Sequence, residues 1–410
     1  MSLIPEALAD PTEVGVLAIL AGLSGMGPRR LRLLLAHLDP IDAFHALADP
    51  SGLPSDLADF YSLDLRRSWA VAVRSCNLQQ VATNCAELGL RAAAFGSALY
   101  PRLLLADPVP PAVIFWRGEL RCLAERRVGI VGTRNPTRSG VATAGTLAQE
   151  LAEAGIAVVS GLARGIDGAA HRGALSARGP VIAVVGNGPD KAYPASHRDL
   201  WQQVCDQGLL ITEWPPGVPP DSYRFPMRNR ILAALSEVVV VVESRERGGS
   251  LSTVREASLR GIPVMAVPGS LHTRASAGTN QLLCEGAPPV TCTEDVLVAL
   301  GLHSQRRSDL AQDPRPAVGQ MEAAILERCR IRPQTLDDLC RGLAITVSTA
   351  ALAVARLERD GWVAETGGWF EVLGAWAGTL GAEAGEGTEH DIADAECPEH
   401  DGPEAIPYGT

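Results

Sequence analysis

The run Phe225-Pro226-Met227-Arg228-Asn229-Arg230-Ile231 sets an aromatic ring beside two guanidinium groups. That combination suits a nucleic-acid strand, because a ring stacks on a base and arginine holds phosphate through a fork of N–H donors. By itself the run is equally an ordinary loop entering a helix, with the Phe before the Pro in the core. Other stretches accompany it. Upstream are Gly132-Thr133-Arg134 and Ser160-Gly161-Leu162-Ala163-Arg164-Gly165-Ile166-Asp167; downstream are Gly248-Gly249-Ser250-Leu251-Ser252-Thr253 and Pro268-Gly269. Each falls where a hydrophobic strand runs into a Gly-rich turn.

Several chemistries can be weighed on these residues. Gly132 ends a first strand that leads to a helix N-terminus, an arrangement that binds anions, and Arg134 follows directly. The spacing Gly129-x-x-Gly132 is not the dinucleotide fingerprint, so no nicotinamide or flavin cofactor is expected. Gly249 with Ser250, Ser252 and Thr253 can cradle phosphate ahead of a helix at Val254–Arg260, or the hydroxyls can serve as N-caps. The Lys-containing element of a P-loop is missing, which argues against ATP hydrolysis. Asp167 reads as a helix cap and His171, four residues on, as a packed histidine. A hydrolase using Ser160 or Ser250 with these two lacks the GxSxG elbow.

The elements that must position these residues can be read from hydrophobic runs. Val128–Val131, Ala157–Ser160, Val181–Val185, Leu209–Thr212, Val238–Val242 and Pro263–Val267 are short and rich in Val and Ile, as strands buried on both faces of a parallel sheet are. Helical patterns such as Val141–Ala154 and Ala169–Ala177 lie between them. The alternation predicts an α/β fold with a doubly wound, mostly parallel, Rossmann-like sheet, whose binding sites lie beyond the C-terminal strand ends. Residues 1–95 read as a helical domain. Within it, Gly22-Leu23-Ser24-Gly25-Met26-Gly27-Pro28 separates two helical patterns and resembles a helix-hairpin-helix unit, or else a tight turn in a small bundle. Residues 96–298 form the sheet domain with a Pro-rich connector carrying a short strand at Val113–Trp116, and 299–316 a linker. In 317–373 three helices, Met321–Arg330, Leu336–Leu343 and Val347–Arg359, precede a hairpin signal at Gly367-Gly368, an order that resembles a winged helix. Residues 374–410 are small, acidic and Gly-rich and are expected to be disordered.

The net charge of −11 argues at first against a nucleic-acid partner. Nine of the acids lie in 374–410, which holds no Lys or Arg; without that stretch the net charge is −2. Binding depends on a local basic patch. Lys191 is the one lysine among the 36 basic residues, and arginine is the better bidentate phosphate ligand. Nine scattered cysteines without a CxxC pair suit reduced thiols in a cytoplasm and speak against a disulfide scaffold or zinc site. No apolar run is long enough for a membrane span, and Met1–Asp10 has no basic n-region of a secretory signal.

The ordered set Tyr193-Pro194, Glu213, Phe225-Pro226 with Arg228-Asn229-Arg230, Gly249-Ser250-Leu251, Pro268-Gly269, and Gly278 with Asn280 resembles the DprA/Smf family across about 96–298, and more loosely over the terminal domains. The resemblance implies an extended Rossmann-like fold that binds single-stranded DNA without sequence preference. It further implies a cytoplasmic, non-catalytic homodimer that loads the RecA recombinase in transformation and recombination. By motif position Arg134 matches the family's basic pocket residue and Phe225 its base-contacting aromatic. The DNA-binding set expected here is Gly132, Thr133, Arg134, Ser160, Gly161, Arg164, Gly165, Arg224, Phe225, Arg228, Asn229, Arg230, Gly249, Ser250, Ser252 and Thr253. One position departs: Ser222 stands where a lysine is common, and Arg224 is the candidate to supply the charge. A rival reading is a nucleotide-processing enzyme of the phosphoribohydrolase type, since Gly248 to Glu256 partly echoes the PGGxGTxxE motif.

Overall fold

The computed structural model describes residues 10–302, 316 and 318–372, in two compact units divided after Gln305. The first unit begins with six helices: α1 (Pro11–Gly22), α2 (Pro28–His37), α3 (Pro40–Leu47), α4 (Ser55–Ala58), α5 (Leu63–Ser75) and α6 (Leu78–Glu87). Then come β1 (Arg91–Ala94), α7 (Arg102–Leu105), β2 (Val113–Gly118), β3 (Arg127–Val131), α8 (Arg138–Glu153), β4 (Ala157–Ser160), α9 (Ile166–Ser176), β5 (Val181–Val184), α10 (Arg198–Gln207) and β6 (Leu209–Thr212). The unit closes with α11 (Arg224–Leu235), β7 (Val238–Val241), α12 (Ser250–Leu259), β8 (Val264–Ala266), α13 (Ala277–Cys284) and α14 (Thr293–Ala299).

The strands form one sheet in the order β1-β2-β6-β5-β4-β3-β7-β8. From β6 to β8 every pairing is parallel; β1 and β2 join antiparallel at one side. Alternate residues of the valine runs feed two cores. Val128, Ile130, Val158 and Val240 enter the core under α8, α9 and α10. Val131, Val159, Val239 and Val241 enter the opposite core with Ile231, Leu232 and Ala257 of α11 and α12. Helices therefore cover both faces, as unbroken apolar strands require.

Two boundaries differ from the sequence expectation. The helical N-terminal domain does not stop at 95 as a separate body, because Arg91–Ala94 is a sheet strand. The core of α1–α6 (Val16, Leu17, Leu20, Trp69) continues into Ala92, Ala94, Val113 and Phe115 of β1 and β2. The helices α8, α9 and α12 begin three to four residues earlier than their apolar patterns, so Ser250, Ser252 and Thr253 are helical rather than in a turn before the helix.

The second unit holds α15 (Gln320–Ile331), β9 (Gln334–Thr335), α16 (Leu336–Leu343), α17 (Val347–Arg359), β10 (Val363–Thr366) and β11 (Trp369–Val372). The three strands pair antiparallel in the order β10-β11-β9, and Ile325, Leu326, Leu339, Val354 and Leu357 make the core. Gly367 and Gly368 both have positive φ, the two-residue turn that matches strand twist in a tight hairpin. Three helices and a β-hairpin follow the winged-helix order. Most of the expected linker and the acidic 374–410 stretch lie outside the described residues. Among the described residues no single helix is long and apolar enough to cross a membrane.

Candidate nucleic-acid interface

The C-terminal ends of β3, β4 and β7 open onto a groove of about 660 Å³, closed on one side by the first turns of α11. A small recess adjoins it and shares Arg134, Ala163, Tyr193, Phe225 and Arg228 with the groove lining. The groove sits where a parallel α/β sheet places its ligands.

The stretch Arg228-Asn229-Arg230, which by itself could be a loop entering a helix, is helical. Pro226 falls in the first turn of α11, where no backbone N–H is needed. The helical period then sorts the side chains. Phe225, Arg228, Asn229 and Leu232, three or four apart, face the groove. Arg230, about 200° around the helix from Arg228, turns away to Glu213, with 2.5 Å between Nη2 and Oε2. Both side chains are nearly buried, so Arg230 is withdrawn from the expected phosphate contacts.

Arg228 lines the groove from within. Its guanidinium donates to the Gly161 carbonyl (2.8 Å), the Val184 carbonyl and Asn229 Oδ1 (2.9 Å), and lies 3.9 Å from the Asp167 carboxylate. It ties together the ends of β4 and β5. Burial pushes its pKa down to about 10, with Asp167 opposing the fall, so it remains a cation at neutral pH. Gly161 is glycine because a Cβ there would lie 2.1 Å from Arg228 Nη2.

The exposed chemistry is on the rim. Phe225 is half-buried; its ring stacks on Tyr193 with centroids 5.4 Å apart, and the Arg134 guanidinium lies 4.9 Å from the ring centroid. Arg134, Arg164 and Arg245 are all exposed, and each lines the groove or its recess. Tyr193 and Arg245 were not among the expected contacts. Tyr193 was visible as part of the Tyr-Pro motif, and Arg245 follows the end of β7 much as Arg134 follows that of β3. Ser222 lies in the lining beside Asp221.

Other expected contacts have structural roles. The helix N-terminus behind Gly132 is already filled. Glu243 accepts from the Thr137 N–H (2.9 Å) and hydroxyl (2.5 Å) at the start of α8, and its carbonyl accepts from the Thr133 N–H (2.7 Å). The expected anion site there is thus taken by the protein's own carboxylate. Gly132 and Gly165 serve close packing: a Cβ would meet Ile166 at 2.5 Å in the first case and the Thr133 carbonyl at 2.4 Å in the second. Ser160 is fully buried and donates to the Ile130 carbonyl. Arg224 stacks on Trp214 and Tyr223 rather than entering the groove. At the start of α12, Ser250 donates to Ser244 (2.9 Å), Ser252 accepts from Asn229 (2.5 Å), and Thr253 is buried. All three hydroxyl residues border the groove, and Gly249 leaves open space beside them.

The residues of the enzymatic readings are occupied elsewhere. Glu256 pairs with Arg260 at 2.6 Å, and Arg260 in turn binds the buried Asp107. His171 is fully buried, and loss of hydration pushes its pKa down to about 3. Among the described residues no group of three or more His, Cys, Asp or Glu could hold a metal ion.

Comparison with known proteins places the chain in a family. The sequence model of DNA recombination-mediator protein A matches residues 91–301. The DNA processing protein DprA of Bacillus subtilis (strain 168) is 39% identical over 215 residues, which are 52% of this chain and 72% of that protein. Protein Smf of Escherichia coli (strain K12) is 42% identical over 210 residues, 50% of this chain and 56% of that protein. The X-ray structure of DNA processing protein A from Streptococcus pneumoniae is similar with a TM-score of 0.59 at 30% identity, covering 71% of this chain and 98% of that one. With the family's sequence model matched over half its length and its fold shared with a solved member, the chain belongs to the DprA/Smf family of DNA recombination mediators.

Proposed function

We propose that this protein binds single-stranded DNA without sequence preference in the groove and delivers it to the RecA recombinase, acting as a cytoplasmic, non-catalytic dimer in recombination. The observation that carries the reading is the stack of Tyr193, Phe225 and Arg134 on a rim with Arg164 and Arg245. Aromatic faces accept any base, and each stacked base contributes roughly 1–3 kcal/mol. Exposed guanidinium groups hold phosphates and are exchanged for counterions. A base reaching Phe225 would displace the Arg134 guanidinium from the ring, which frees that cation for a phosphate. Family membership supports delivery to a recombinase.

The test is fluorescence anisotropy with a labelled single strand and the matching duplex at low salt. The single strand should bind more tightly, and Phe225→Ala should weaken it by about 10-fold, the loss of one stacked base. Equal affinity for duplex and single strand, or a Phe225→Ala protein of unchanged affinity, contradicts the reading. RecA delivery is checked by the recombinase's DNA-dependent ATPase on the same strand, which the protein should accelerate and the Phe225→Ala protein should not.

A further inference from the structure

The expected contact Arg224 does not enter the groove, yet it is built into a surface of the same chemical type. Its guanidinium lies 4.8 Å from the Trp214 ring centroid and 5.0 Å from that of Tyr223, and the two rings meet edge-on at 6.4 Å. Tyr223 is 52% exposed, which leaves its side chain accessible to a stacking partner. The platform is continuous with the groove: Pro220, Asp221 and Ser222 line the groove and Tyr223 follows them in the chain. On its other side it meets the start of α2. Trp214 and Pro28 border one small cavity, and Pro215 lies 3.9 Å from a Cβ placed on Gly22. Helix α2 presents Arg29, Arg30 and Arg32 to solvent and contains no acid.

We infer that a single strand leaving the groove continues across Tyr223, Trp214 and Arg224 to the arginines of α2, making a second contact region for the same strand. The inference rests on the proposed function. A strand alternates stacking faces with phosphates, and the surface supplies an aromatic pair followed by three exposed cations, of which Arg30 also donates to the Gly25 carbonyl. It also gives the N-terminal helices a share in binding, and it answers the serine at 222. The positive charge near that turn stands one step farther along the strand.

The test compares oligo-dT of about 6 and about 16 nucleotides, the span of single-strand site sizes. It uses the full chain and two variants of exposed residues, Tyr223→Ala and the pair Arg29→Glu with Arg32→Glu. Both should weaken the longer strand by about 10-fold and leave the shorter one unchanged, whereas Arg134→Ala should weaken both. The wild type should show a steeper salt dependence with the longer strand, by about 0.7 in log–log slope for each added phosphate contact. Equal effects on both lengths, or none, overturn the second region while the groove stands. A loss confined to a duplex probe overturns it too, since the occupant would then be duplex. Failure of the wild type to bind either strand removes the groove reading and this one together.

Discussion

Arg228 and Arg134 are both arginines at the groove, and their surroundings give them different work. Arg228 is buried against two backbone carbonyls and Asp167, whereas Arg134 is exposed over Phe225. Replacing Arg228 by Met leaves the Asp167 carboxylate buried without its partner, and breaking such a pair costs about 3–5 kcal/mol. Arg134→Ala should change stability by no more than about 0.5 kcal/mol. Urea unfolding of the two variants measures this difference directly; equal losses would show that Arg228 is not structural. Gly161→Ala should behave as Arg228→Met does, because its Cβ has no room beside the guanidinium. The arginines were legible in the sequence as chemistry, but their direction was not. Arg228 and Arg230 are two residues apart, and only the helical phase of α11 sends one to the groove and the other to Glu213.

His171 adds a pH dependence at the same scale. Its folded pKa of about 3 lies below the ordinary 6.5, so the unfolded chain binds the extra proton more readily. Its contribution to stability is complete above about pH 6.5 and is lost as pH falls through the folded value. His197 shifts in the same direction, chiefly by burial. Thermal unfolding between pH 7 and pH 4 should show stability falling with acid, with a shallower slope in His171→Leu. An identical slope would place the acid sensitivity in other groups.

At the scale of elements, the central strands were legible because burial on both faces leaves unbroken Val and Ile runs. Strand β1 was not: Arg91-Ala92-Ala93-Ala94 has little β preference and is a strand because β2 pairs with it and the N-terminal helices pack on it. The start of α8 hid a different lesson. A glycine turn before a helix suggests a phosphate site, but Thr137 caps that helix and Glu243, distant in sequence, accepts from the Thr137 N–H and hydroxyl. Glu243→Gln should destabilise the fold by about 1–2 kcal/mol, the range of a cap and helix-dipole interaction. Its strand affinity at saturating folded protein should be unchanged. A large loss of affinity with little loss of stability would return this helix N-terminus to the binding surface.

For the whole molecule, the groove and both of its cores lie before residue 305. A chain ending at Gln305 should fold cooperatively and bind the single strand with an affinity within about 3-fold of the full chain, since every residue that lines the groove belongs to the first unit. Residues 128–298 alone should not, because they omit β1 and β2, which leaves β6 without its partner strand and removes Ile114 and Trp116 from the core they share with Val184, Leu209 and Ile211. Circular dichroism with the anisotropy assay separates the two fragments. The overall charge of −11 misrepresents this unit, since nine acids are gathered in 374–410. Sequence periodicity separated the sheet from the winged-helix unit, but the continuity of the N-terminal helices with the sheet depends on long-range packing that no local pattern records.

The most direct measurement is the salt dependence of single-strand affinity for the wild type and Arg134→Ala. The rim arginines predict a log–log slope that falls by about 0.7 when Arg134 is removed, as one phosphate contact is lost. A slope and affinity unchanged by Arg134→Ala would contradict the groove as the place where this protein holds single-stranded DNA.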